Sequence, residues 1–139
     1  MHYIIDHRVP LEICPSSNVQ TGAVASLSTH PLKLYLDLGA RVTVNTDNRL
    51  ITDTTASREL WLCHTQMGLE PKDIARIVLN GFKSAFLPFH IKHGYLRRIA
   101  GELERFVESP MTVLGPSEAA EPVAAGEPLS ERTRQWARA

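Results

Sequence analysis

Two short runs of alternating apolar residues, VPLEIC (Val9–Cys14) and RVTVNTD (Arg41–Asp47), constrain this chain more than any other feature. Val9, Leu11 and Ile13 point to one side of the first run, and Val42 and Val44 to one side of the second. A single helical pattern lies between them, so the order strand–helix–strand fills about one βαβ unit of ~30 residues. That order predicts parallel strands joined by right-handed crossovers. Parallel strands require covered faces and neighbours along both edges, and two strands alone leave both outer edges unpaired. A closed (β/α)₈ barrel takes eight such units, or ~250 residues. With 139 residues, the chain has room for one ordinary domain. The physical reading is therefore α/β: two βα units of something larger.

The remaining pattern fits around those strands. MHYIIDHR reads as the last turns of a helix; no Ser, Thr, Asp or Asn cap precedes it, which suggests that the chain starts inside a unit. After Pro15 closes the first strand, PSSNVQTGAV reads as a loop with Gly22 at a turn. STHPLKLYLDLG predicts a helix capped by Ser28 or Thr29, with Pro31 near its first position, Leu32, Tyr35 and Leu36 on one face and Gly39 at its end. SRELWLCHTQMG predicts a helix through Leu60, Cys63, His64 and Met67, stopped by Gly68. A further helix starts at Pro71 and buries Ile74, Ile77, Val78 and Phe82. Pro88 interrupts the pattern, and HIKHGYLRRIAGELERFV forms an amphipathic helix through Tyr95, Ile99, Leu103 and Phe106. From Ser109 onward Pro, Ala, Gly and Glu mix without periodicity, the mark of a disordered tail, and Trp136 within it reads as a chance aromatic. Residues 1–108 are thus expected to be the structured part and 109–139 the tail.

Composition excludes classes rather than naming one. Fifteen basic and fifteen acidic residues cancel, leaving no electrostatic footprint for nucleic acid or an anionic membrane. No apolar run approaches the roughly 20 residues of a transmembrane helix, and the N-terminus lacks a signal-peptide layout. Cys14 and Cys63 make no disulfide framework, so the default expectation is a reducing cytoplasm.

Reactive groups in parallel α/β architectures stand at the C-terminal ends of strands. The two exits here are CPSSN and TDN. Asp47 is therefore placed for metal ligation or acid–base work, although position alone favours capping the next segment or holding a loop amide. A catalytic zinc takes three or more protein ligands and keeps a position open for water. None of His2, His7, His30, His64, His90 and His93 lies at a predicted strand exit, and neither His-x-His nor His-Glu-x-x-His occurs. His90 and His93 share what reads as a solvated helical face, His30 reads as an N-terminal helix residue and His64 as a semi-buried core residue. There is no Gly-x-Gly-x-x-Gly, P-loop or Gly-x-Ser-x-Gly elbow. Without an activating base, Cys14 reads as an inert core thiol.

LEICPSSNVQTGAV, HPLKLYLDLGARVTVNTDN and LNGFKSAFL, in that order and spacing, resemble the C-terminal third of bacterial adenosine deaminases, over about Tyr3 to Val107. The resemblance implies the last two βα units plus C-terminal helices of a (β/α)₈ TIM-type barrel. It implies a Zn²⁺ enzyme in which a zinc-bound hydroxide attacks the purine carbon bearing the amino group. Asp47 matches the family's zinc-ligand aspartate, and Asn48 the neighbouring position that hydrogen-bonds purine N7. Many members carry a second Asp there; N7 is an acceptor, and a neutral amide donates to it without needing a proton. Adenine and AMP deaminases resemble the same family, with SNVQTGAV looking more like the nucleoside-specific branch. The resemblance places the histidine ligands and the proton-donating glutamate upstream of Met1, leaving no catalytic acid or base here. It makes the substrate a purine nucleoside and the chain a fragment inactive alone, either the product of a truncated or split reading frame or completed by a chain carrying the missing strands. A non-catalytic assembly or remnant module is the rival reading.

Overall fold

The computed structural model describes residues 2–108; the expectations for 109–139 and Trp136 lie outside them. The chain opens with α1 (His2–Asp6), enters β1 (Pro10–Ile13), and continues through α2 (Pro15–Gln20), a 3₁₀ turn (Leu27–Thr29) and α3 (Leu32–Asp37) to β2 (Arg41–Val44). Four helices follow: α4 (Arg49–Thr52), α5 (Ala56–Met67), α6 (Pro71–Ser84) and α7 (Phe89–Glu108). β1 and β2 pair in parallel, Leu11 opposite Val42 and Ile13 opposite Val44, as the strand–helix–strand order predicts. The ladder runs past the last paired residues, where the Asn45 N–H donates to the Ile13 carbonyl at 2.8 Å.

Both strands turn apolar side chains toward the helices. Ile13 and Val42 join Leu32, Leu36, Ala40, Cys63, Leu69, Ile74 and Ile77 in one buried cluster, while Val19, Leu27 and Leu62 form a smaller one beneath α2. Helix α6 is tied to β2 by Asn80, whose Nδ2 donates to the Val42 carbonyl at 3.0 Å. It is tied to α3 by Arg76, whose guanidinium donates to the Leu36 carbonyl at 3.1 Å. The helix stops fall where the sequence places them: Gly39 and Gly68 hold φ of 86° and 67°, conformations that disfavour residues with a Cβ. Helix α5 starts on Thr55, whose hydroxyl accepts the Arg58 N–H at 3.2 Å, and the Asp73 carboxylate accepts the Glu70 N–H at the start of α6.

Several expectations are corrected. The stretch after β1 is a helix rather than a loop over Pro15–Gln20, because Pro15 stands at the first helical position, where its missing N–H costs nothing. The turn at Gly22 stands, at φ 75°. Ser28 and Thr29 do not cap α3; they lie within the 3₁₀ turn, and the Leu32 N–H instead donates to Nδ1 of His30 at 3.0 Å. Val78 and Phe82 are half-buried, and α7 holds no buried residue. The short helix α4, four residues long, carries no apolar period from which the sequence predicts it.

His30 is therefore a buried cap rather than a residue of the helix itself. Because Nδ1 accepts a backbone N–H, the proton sits on Nε2, which donates to Asn18 Oδ1 at 3.1 Å. Burial lowers its pKa below the ordinary 6.5. A base whose folded pKa is depressed contributes fully above its unfolded value, and that contribution is lost as pH falls below 6.5 toward the folded value. Thermal stability is expected to drop between about pH 7 and about pH 5, and His30→Asn, an acceptor that does not titrate there, to drop less. Equal drops in both proteins would place the sensitive group elsewhere.

Candidate active site at the strand exits

The parallel register brings the two strand exits side by side. Beyond Val44 the chain leaves the ladder at Asn45, whose amide donates to Thr43 Oγ1 at 3.0 Å. At Asp47 the backbone enters the left-handed region, φ 54°. Aspartate tolerates that conformation better than most residues do. From the other exit, Ser17 in α2 donates its hydroxyl to Asp47 Oδ2 at 2.8 Å. The second carboxylate oxygen, Oδ1, makes no hydrogen bond among the described residues.

Asn48 is the N-cap of α4. Its Oδ1 accepts the N–H groups of Leu50 at 3.1 Å and Ile51 at 3.3 Å. Those bonds orient the amide: with oxygen turned to the backbone, the Nδ2 end is left as a donor toward solvent. Of the two residues singled out at this exit, the capping role expected as an alternative for Asp47 falls to Asn48. Both side chains are exposed.

Glu59 was not legible as part of this region. It is fully buried (0% exposed), yet no lysine or arginine forms an ion pair with it among the described residues. Its Oε2 accepts the Ser16 N–H at 3.0 Å and its Oε1 the Thr54 hydroxyl at 2.6 Å. The available signal was its place on the apolar stripe of α5, one turn before Cys63. There a carboxylate must find donors inside the protein.

The thiols are poor nucleophiles. Burial, reinforced by the negative charge of Asp47, raises the Cys14 pKa despite a contact with the Asp47 backbone that acts the other way. Burial, reinforced by Glu59, pushes Cys63 up to about 12. The histidines do not gather at the exits: His64 Nδ1 bonds the Leu69 carbonyl at 2.7 Å, His7 bonds Tyr3, and His90 and His93 are exposed. Among the described residues no group of three or more His, Cys, Asp or Glu is placed to hold a metal. A zinc centre needs at least three protein ligands, so Asp47 fits one ligand position, and among the described residues the rest of the set does not stand beside it.

Comparison with known proteins bears on what this exit belongs to. The family model described as Adenosine deaminase matches residues 1–102. The chain is 58% identical over 84 residues to an adenosine deaminase of Mycobacteroides abscessus, a match covering 60% of this chain and 23% of that protein. It thus spans about a quarter of the length of the curated relatives it matches. Among solved structures, the adenine deaminase from Arthrobacter aurescens superposes with a TM-score of 0.70 at 25% identity, over 74% of this chain and 32% of that one. A Burkholderia ambifaria amidohydrolase with bound Zn superposes with a TM-score of 0.65 at 19% identity, over 78% and 30%.

Proposed function

The chain belongs to the adenosine deaminase family, and from that premise we propose that it contributes the last strand exits of a (β/α)₈ barrel that hydrolytically deaminates adenosine. The observation that carries the reading is the paired exit itself. A carboxylate held on one oxygen by Ser17, with the other oxygen unbonded among the described residues, stands next to an amide whose donor end faces outward. Asp47 is the proposed ligand to a zinc ion whose other ligands, with the proton-donating glutamate, come from residues outside this chain. When bound, that ion supplies an activated water for attack on the ring carbon bearing the amino group.

The chain's own residues then position rather than react. Ser17 fixes the Asp47 carboxylate. Asn48 directs Nδ2 at purine N7, and its cap to α4 stops the amide from flipping and presenting an acceptor. One such hydrogen bond contributes about 0.5–1.5 kcal/mol net, enough to orient a base and too little to bind it alone. The Thr-Gly pair at Thr21–Gly22 in the first exit loop supports a nucleoside substrate; the adenine deaminase likeness keeps the free base as the alternative.

A chimera tests this. The matched 84-residue segment of the Mycobacteroides abscessus enzyme is replaced by the corresponding residues of this chain. With zinc present, the chimera is expected to convert adenosine to inosine, read as the fall in adenosine absorbance, and to act on adenine far more slowly. The isolated chain is expected to show no turnover. A folded chimera without deaminase activity would sink the proposal, and one preferring adenine would move it to the free base.

A further inference from the structure

Glu59 invites a question that the proposed ligand set leaves open: why does a carboxylate with no ion-pair partner among the described residues lie at 0% exposure next to the strand exits? Burying a charge unpaired is costly, and its two oxygens are instead spent on donors from two other segments. Oε2 takes the backbone N–H of Ser16 in the first turn of α2, and Oε1 takes the hydroxyl of Thr54 just ahead of α5. The next residue after Ser16 is Ser17, whose hydroxyl holds Asp47. Three segments thus converge: the exit of β1, the exit of β2, and the start of α5.

We propose that Glu59 is a positioning residue for Asp47, acting through the Ser16–Ser17 backbone. This rests on Asp47 being the functional carboxylate, as above. Ser17 is partly exposed, and its hydroxyl rotates freely. What fixes the donor is its backbone, and Glu59 anchors that backbone from the buried side at a sequence distance of 43 residues. Asp47, at a left-handed φ on an exposed turn, has no other side-chain hydrogen bond among the described residues to set its direction. With Glu59 in place, Oδ2 stays on Ser17 and Oδ1 stays turned out.

The two obvious substitutions act differently. Glu59→Gln keeps an oxygen for the Ser16 N–H, and its NH₂ donates to the Thr54 hydroxyl, which can accept as readily as donate. Glu59→Met fills the same volume and offers neither partner an acceptor. The test follows the Asp47 carboxyl carbon and the Ser16 amide by NMR in the full chain, without zinc or nucleoside, so its outcome is independent of whether the family reaction is reconstituted. E59M is expected to shift the Asp47 carboxyl resonance in the same direction as Ser17→Ala and to speed Ser16 amide exchange by at least about tenfold, while E59Q stays close to the unsubstituted chain. In the S17A background, E59M is expected to cause no further shift at Asp47; a purely structural role for Glu59 would still move it there. An unmoved Asp47 resonance in folded E59M, or the same shift with and without Ser17, overturns the proposal. Should E59M not fold, Thr54→Val decides: it frees one carboxylate oxygen and is expected to displace the Asp47 resonance the same way, and no displacement overturns the proposal.

Discussion

Replacing Asp47 with alanine is expected to lower adenosine deamination in the chimera by more than about 100-fold, the upper end of what losing a partner just outside a metal's ligand shell costs. Two effects combine in that variant. The proposed metal ligand disappears, and alanine must adopt the left-handed backbone that Asp47 holds at φ 54°, which costs about 1–2 kcal/mol for an ordinary L residue. Asp47→Asn separates them. Asparagine tolerates the left-handed region, and its oxygen can still accept from Ser17, so stability is expected to stay within about 0.5 kcal/mol. The anionic oxygen is gone, so activity is expected to fall almost as far as in the alanine variant. Deamination rates and bound zinc, read together, check this. An Asp47→Asn chimera that binds zinc and turns over at the parent rate would remove Asp47 from the ligand set.

Leu32→Ala is expected to have the largest effect on the fold. Leu32 opens α3, is fully buried, and packs in the cluster that joins β1, β2, α5 and α6. Truncating a buried leucine costs about 2–5 kcal/mol, because the methyl groups leave a cavity that rigid neighbours cannot close. A domain's whole stability is about 5–15 kcal/mol, and a sheet of two strands whose outer edges are unpaired among the described residues belongs at the low end. Chemical denaturation should show the midpoint falling sharply or the transition disappearing. Leu34→Ala is the control, since Leu34 is 57% exposed on the same helix; its effect should stay within about 0.5 kcal/mol.

The elements were legible because their signals are local. Alternation identified both strands, and glycines at 39 and 68 ended their helices at the left-handed positions the structure shows. Local rules also produced the errors. Residue type alone makes Pro15 end a strand and begin a loop, whereas it ends the strand and begins a helix, both uses being open to a residue that lacks an N–H. Residue type favours Ser28 and Thr29 as caps, whereas the acceptor that reaches Leu32 is the ring of His30.

At the strand exits the division is sharper. The sequence by itself determined that a carboxylate and an amide follow β2, since position after an alternating run places Asp47 and Asn48 there, and it determined family membership through motif order. Only the tertiary structure decided which oxygen of Asp47 is engaged, which end of Asn48 faces out, and that Glu59 lies inside. The physical reason is range. The Ser17–Asp47 and Ser16–Glu59 hydrogen bonds join residues 30 and 43 positions apart. No period of 2 or 3.6 encodes such a pairing; it exists only once parallel strands bring their exits together and the helices between them close over a shared core.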